Sequence, residues 1–267
     1  MTQRFVSGFD VGAEVTPMLS VSNVVVPEHL KYKVSFLSDI LNFIFGLRYE
    51  NNVIVAKGMT ISSIITIFGV KGVGKTTFAL QVLSEYEKLE KKCGLISNEE
   101  PVEQLKLACE RLKIYNIDVA HKKTLEDLLE QIEEYDLLVI DSLQGVVMQN
   151  EKKDVEKRVM NALTAHAKMH SCSLIIITHA TKSGIAKGNS SVGHIADETI
   201  AIYPGNQTFK NDFFLENSPI IINVEKNRFG QTGMAIVERS NNGYDFEDSP
   251  NLSCDCLLPF EPRYIQK

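Results

Sequence analysis

One junction limits what this chain can fold into more than any other stretch. The β-branched and apolar run Ile64-Ile65-Thr66-Ile67-Phe68 passes directly into Gly69-Val70-Lys71-Gly72-Val73-Gly74-Lys75-Thr76-Thr77. Beyond it, Ala79, Val82, Leu83, Tyr86 and Leu89 recur at helical spacing, with Glu85, Glu87, Lys88 and Lys91 on other faces. Strand, G-x-x-x-x-G-K-[ST] and helix in that order are the parts of a P-loop, and they predict an α/β fold. A glycine-rich turn matched by chance would lack the flanking strand and helix.

The chemistry asks for these residue types. Gly69, Gly72 and Gly74 let the backbone curl until successive N–H groups point at a polyphosphate, and the following helix adds the positive end of its dipole. Lys75 is expected to reach the β- and γ-phosphates, and the Thr76 hydroxyl to ligate Mg²⁺. The whole run Gly69–Thr77 is the expected nucleotide cradle.

Other strands are expected to deliver polar residues to the same edge of the sheet. Gly94-Leu95-Ile96-Ser97 reads as a strand that ends in Asn98-Glu99-Glu100-Pro101, with Pro101 opening a helix faced by Val102, Leu105, Cys109 and Leu112. Carboxyl ends of parallel strands are where ligands bind, although either glutamate could instead complement the next helix's N-terminus. A short strand around 117–120 and a helix opened by Thr124 follow, the latter close to a capping box. Tyr135-Asp136-Leu137-Leu138-Val139-Ile140-Asp141-Ser142 has the form of a Walker B strand, apolar on both faces and closed by an acid. Asp141, about sixty-five residues beyond the P-loop, is expected to support Mg²⁺. After a helix at about 154–170, the strand Ser173–Thr178 ends at His179, which would share that edge. Beyond it Thr181–Gly193 carries two lysines, Lys182 and Lys187, three glycines and no acid, and reads as a mobile basic loop.

Upstream, Phe36, Leu37, Ile40, Leu41, Ile44 and Phe45 predict a helix over about 35–45 that stops at Gly46. Residues 1–34 carry no motif and read as an arm or linker, frayed in a monomer or packed on a neighbour in an oligomer. In the last third, 199–203, 220–224, 234–238 and 244–246 are short strand-like runs at hairpin spacing, expected as antiparallel strands added to the parallel core. Between two of them lies Lys226-Asn227-Arg228-Phe229-Gly230, on the simplest reading an exposed hairpin tip. The expected division is a core over 35–248 and a tail over 249–267.

With 267 residues, 44% of them hydrophobic, the chain can bury one large α/β core. No apolar run approaches the ~20 residues of a membrane span, and no secretory signal opens the chain, so a cytoplasmic protein is expected. Five scattered cysteines argue against a disulfide framework, and Cys254 and Cys256 lack the second ligand pair of a zinc module. A net charge of −6 argues against a broadly basic surface for nucleic acid but leaves room for a local basic loop.

Taken together, Gly69–Thr77, Ser97-Asn98-Glu99-Glu100, Val139-Ile140-Asp141-Ser142-Leu143-Gln144, Thr178-His179-Ala180-Thr181-Lys182 and Lys226-Asn227-Arg228-Phe229-Gly230 resemble the RecA-like ATPase core of the bacterial RadA (Sms) family, kin of the DnaB-type replicative helicases. The last pentapeptide is the most specific piece. The resemblance covers about 35–246 and implies a mostly parallel sheet flanked by helices. It implies ATP and Mg²⁺ as cofactors, held by Lys75, Thr76 and Asp141, with Glu99 polarising the attacking water. It implies that His179 senses the γ-phosphate and that Lys226 and Arg228 contact the ATP of a neighbouring subunit. Lys182 and Lys187 fall in a loop that would touch the backbone of single-stranded DNA without reading bases.

The implied activity is an ATP-dependent motor on single-stranded or branched DNA, a helicase or branch-migration ATPase in recombination, repair or replication, working as a homo-oligomer, expected to be a hexameric ring, with no membrane partner. Two readings from other classes stand beside it: an ATP-switched recombination mediator that forms filaments without unwinding, and a KaiC-like signalling ATPase. The sequence departs from full-length RadA in having no C-x-x-C zinc module and only about twenty residues after Phe246, too few for a Lon-protease-like domain, so no protease activity is expected. His194 and Asp197 resemble a family segment to which no chemistry is attached.

Overall fold

The structure is a computed structural model that describes residues 18, 20–26, 30–147, 155–179, 191–205 and 219–246. In chain order its strands and helices are β1 (Lys33–Val34), α1 (Asp39–Phe45), β2 (Leu47–Glu50), β3 (Val53–Lys57), β4 (Met59–Thr60), β5 (Ile64–Gly69), α2 (Lys75–Glu87), β6 (Cys93–Ser97), α3 (Val102–Leu112), β7 (Asp118–His121), α4 (Leu125–Ile132), β8 (Leu137–Asp141), α5 (Val155–Met169), β9 (Ser173–His179), α6 (Ser191–Ile195), β10 (Glu198–Pro204), β11 (Ile220–Asn227), β12 (Gly233–Val237), β13 (Arg239–Ser240) and β14 (Gly243–Tyr244). Eight strands form the main sheet in the order β12-β11-β10-β5-β9-β8-β6-β7. From β10 to β7 all neighbours are parallel, and β11 and β12 extend the sheet antiparallel.

Alternation along the central strands builds two cores. Ile65 and Ile67 of β5, Leu137 and Val139 of β8, and Ile175 and Ile177 of β9 pack on one face with α1, α2 and α3. Ile64, Leu138, Ile140, Leu174 and Ile176 pack on the other with α4, α5 and α6. Strands buried on both faces read as continuous apolar runs because helices cover both sides of a parallel sheet. That is the α/β architecture expected, a mostly parallel sheet flanked by helices with antiparallel strands near the C-terminus.

The helix ends follow local chemistry. Ser38 caps α1 by accepting a hydrogen bond from the Leu41 N–H at 3.2 Å, so α1 begins four residues later than its apolar period suggested. At α4, the Thr124 hydroxyl accepts from the Asp127 N–H at 3.2 Å and donates to the Asp127 carboxylate at 2.7 Å, an N-cap close to a capping box but with the acid on the threonine hydroxyl where a box would have it on the backbone N–H.

One expectation is corrected. The run 199–203 is not an added antiparallel strand: it lies in β10, which pairs parallel to β5 through Glu198↔Ile65 to Ile202↔Gly69. Only β11 and β12 run antiparallel in the main sheet, while β14 joins β13 in a separate two-stranded ribbon and Phe246 lies outside any strand. Hairpin spacing registers a strand's length but not its direction, and the crossover through α6 makes β10 parallel.

Candidate nucleotide-binding site

β5, β6, β8 and β9 end side by side at one edge: Gly69 is opposite His179, and Ser97 is opposite Asp141. Four sequence motifs distant from one another therefore meet there.

The P-loop turns through left-handed glycines, with φ of +80° at Gly72 and +105° at Gly74. A Cβ on Gly74 would also meet the Tyr244 hydroxyl at 2.5 Å, so glycine is required twice over. The turn is held from behind by the β13–β14 ribbon. Tyr244 Oη donates to the Val73 carbonyl at 2.8 Å, and Arg239 donates to the same oxygen at 2.9 Å. Gln81 of α2 brackets Tyr244 with two backbone bonds of 2.8 Å each, and the Phe78 and Phe246 rings pack on the tyrosine. Tyr244→Phe keeps the ring and removes one bond to the P-loop. It is expected to cost about 1 kcal/mol in denaturant unfolding and to weaken nucleotide binding several-fold. Wild-type values in both titrations would mean that Arg239 alone suffices.

Within the loop, Lys75 Nζ donates to the carbonyls of Gly69 at 3.0 Å and Val70 at 3.3 Å. Burial lowers its pKa, against the charges of Asp141 and Glu99. Thr76 Oγ1 donates to Asp141 Oδ2 at 2.6 Å, so the hydroxyl and carboxylate expected to serve one Mg²⁺ are in contact. Burial pushes Asp141 above the usual carboxylate range; the Thr76 bond lowers it and the Glu99 charge raises it.

The glutamates separate. Glu99 Oε1 accepts from Ser142 Oγ at 2.6 Å and lies 2.7 Å from His179 Nε2. Burial alone would raise Glu99, but the bonds from Ser142 and His179 and the nearby charges of His179 and Lys75 hold it below the usual range. Glu100 is raised, by burial first and then by the charges of Asp141 and Glu99. Its N–H and that of Glu99 both bond the Ser97 hydroxyl, at 2.8 and 3.2 Å.

Sequence reasoning passed over the residues that hold these groups. Asn98 grips Ser142 by donating to its carbonyl at 2.6 Å and accepting from its N–H at 3.0 Å, which ties the ends of β6 and β8 together. Gln144 Oε1 accepts from the His179 N–H at 3.3 Å, while its Nε2 is buried with no partner among the described residues. Both stood inside quoted motifs, but nothing in the spacing assigned them partners. Tyr244 carried no signal beyond a strand-like run, and Arg239 lay between two such runs with no signal of its own.

Lys226 and Arg228 lie elsewhere. Because β11 runs antiparallel, Lys226 sits opposite Thr199 and Asn227 opposite Glu198, at the amino-terminal edge of the parallel strands and away from the chain's own P-loop. They are not a free tip. Lys226 Nζ donates to the carbonyls of Gly193 (2.9 Å), His194 (3.3 Å) and Ala196 (2.5 Å) around the end of α6. Arg228 donates to Asp197 Oδ1 at 3.0 Å and the His194 carbonyl at 2.9 Å. Asp197, whose side chain is 2% exposed, also accepts from the Ile64 N–H at 3.1 Å and pairs with Lys168 at 3.3 Å. Asp197 is thus a structural anchor. Lys182, Lys187 and nearly all of the basic loop lie outside the described residues, as do Cys254 and Cys256.

The buried cation at the glycine turn, the threonine on the aspartate and the ionised glutamate fit a polyphosphate with its divalent ion. Fold and site define a P-loop nucleotide-binding protein. The model of the RecA N-terminal domain family matches residues 46–195, and the chain belongs to that family. It is RadA-like within it: it is 30% identical over 206 residues to the DNA repair protein RadA of Rickettsia prowazekii, covering 73% of this chain and 44% of that one. Against the RadA of Listeria monocytogenes it is 30% identical over 204 residues, covering 73% and 43%. The chain therefore spans less than half the length of these relatives. A DnaB-like replicative helicase, solved in a study of its interactions with primase, shares the fold with a TM-score of 0.58 at 13% identity, over 68% of this chain and 57% of that one. Among the described residues no helix is long and apolar enough to cross a membrane.

Proposed function

We propose that the chain is an Mg²⁺-dependent ATPase that works as a homo-oligomer, a hexameric ring, on single-stranded or branched DNA in the cytoplasm, as a motor in recombination, repair or replication. The observation that carries the reading is the separation of its two halves: Lys226 and Arg228 stand at one edge of the sheet, and the P-loop, Glu99 and Asp141 at the other. In this reading, cations at that edge serve a neighbour's nucleotide, since their own lies at the other.

In this reading Lys75 and the P-loop amides bind the β- and γ-phosphates, and Thr76 and Asp141 hold the ion. Bound Mg²⁺ neutralises charge on the phosphates. Glu99, kept ionised by Ser142 and His179, orients and polarises a water for in-line attack. His179, bonded to Glu99, would report an added phosphate to the basic loop that begins beside it. Lys182 and Lys187 in that loop would contact DNA phosphates.

The test is ATP hydrolysis with and without single-stranded DNA at two salt concentrations. Several-fold stimulation that declines with salt is expected. A rate indifferent to DNA would overturn the motor reading in favour of a signalling ATPase, and stimulation without displacement of a strand from forked DNA would favour the filament-forming mediator.

A further inference from the structure

A second cluster of ligand-type side chains stands apart from the nucleotide site and takes no part in it. His166 lies in the last turn of α5 and His170 follows its last residue, as Glu133 follows the last residue of α4. A ring nitrogen of each histidine and a Glu133 carboxylate oxygen all lie within 4.8 Å of one another. Glu133 Oε1 is 3.2 Å from His166 Nε2 and 3.8 Å from His170 Nε2, and the two rings overlap with centroids 4.4 Å apart. Both helices are anchored on the same core, α4 through Leu128 and Ile132 and α5 through Leu163 and Ala167, so the geometry is presented by rigid elements.

We infer that Glu133, His166 and His170 form a binding site for a borderline-soft divalent cation, Zn²⁺ by preference. A tetrahedral ion with ligands ~2.0–2.1 Å away holds their atoms roughly 3.3 Å apart, near the 3.2 and 3.8 Å that separate Glu133 Oε1 from the two rings, and the 4.8 Å span of the set leaves a short movement for the ion to close. Ordinary pairing explains the cluster less well. His166 Nε2 is buried and, despite the carboxylate 3.2 Å away, makes no hydrogen bond among the described residues. A metal ion would take a lone pair from each ring and one from the carboxylate. Among the described residues no lysine or arginine pairs with Glu133. Imidazole nitrogen favours Zn²⁺ over Mg²⁺, which separates this site from the oxygen ligands at Thr76 and Asp141. The half-exposed Glu133 leaves the fourth coordination position open to water. Located where α4 and α5 turn back into β8 and β9, the ion would clip two helices together at the edge opposite the P-loop.

Zn²⁺ is titrated into untagged, chelator-stripped full chain carrying Cys254→Ser and Cys256→Ser, in excess Mg²⁺, with a chromophoric chelator as competitor. One equivalent per chain and a rise of several degrees in melting temperature are expected. His166→Ala with His170→Ala should weaken binding roughly 100-fold and abolish the thermal shift, and Glu133→Gln should weaken it less. Circular dichroism and the metal-free melting temperature establish that the variants fold, and His170→Gln alone, the mildest change, must also lose the shift. No stoichiometric binding in the parent, or binding unchanged in the double variant, overturns the site.

Discussion

Glu99→Gln is expected to bind ATP within a few-fold of the parent and to hydrolyse it 10²- to 10³-fold more slowly, as the loss of a water-orienting carboxylate requires. The amide keeps the shape and can still accept from Ser142, so the P-loop geometry should persist; what goes is the negative charge. Both contacts end on Oε1, so Oε2 is the oxygen available to a water. Glu100→Gln is the matched control. Among the described residues the contacts of Glu100 are made by its backbone, and no hydrogen bond ties its carboxylate to Ser142 or His179, so neutralising it should change the rate little. Single-turnover hydrolysis beside a nucleotide titration measures both. Equal losses from the two variants would mean that the pair acts as a unit, and a loss confined to Glu100→Gln would show the wrong glutamate chosen.

Arg228→Ala should cut hydrolysis in the assembled protein by roughly 10³-fold with little change in nucleotide affinity, the size of effect an arginine supplied in trans gives. The structure adds a complication that only a mixing experiment resolves. Arg228 also neutralises the buried Asp197, and its removal leaves Lys168 and the Ile64 N–H, with a stability cost on the order of 1–2 kcal/mol. A fall in activity could then come from a weakened β10 start. Co-assembly with Glu99→Gln chains separates the causes. Each variant chain supplies what the other lacks, and about a quarter of randomly paired interfaces are whole, so a mixture of two inactive proteins should regain activity toward that fraction. A mixture that stays silent would remove the trans role and leave Arg228 a structural residue.

How much of this was legible beforehand differs by element. Strands such as Leu137–Asp141 were readable because burial on both faces writes an unbroken apolar run, and the P-loop because its turn tolerates few residues. Direction was not: β10 has the same composition whichever way it runs, and its partner β5 lies more than a hundred residues upstream. Glu99, Asp141 and His179 could be brought to one edge from strand ends alone, whereas Ser142, which bonds Glu99, and Asn98, which holds Ser142, needed the register of β6 against β8. Arg228 was visible as a residue type, but its clasp on Asp197 depends on an antiparallel turn-back that no periodicity announces. The Glu133–His166–His170 cluster was invisible for the same reason, being made by how α4 lies on α5.

The tyrosine behind the phosphate loop carries a consequence for synthesis. Tyr244 meets Val73 across 171 residues of chain, and Phe246 meets Ser38 across 208. On the ribosome, where early segments emerge and collapse first, β5 and its glycine turn are exposed long before their backing exists. A nascent chain thus carries the recognisable motif without its finished support, and nucleotide can stabilise the product only after translation has passed the final ribbon. Tight binding by this domain is then a mark of a ribbon already in place, and truncations short of Arg239 leave a loop that has the right residues without either side chain that backs Val73.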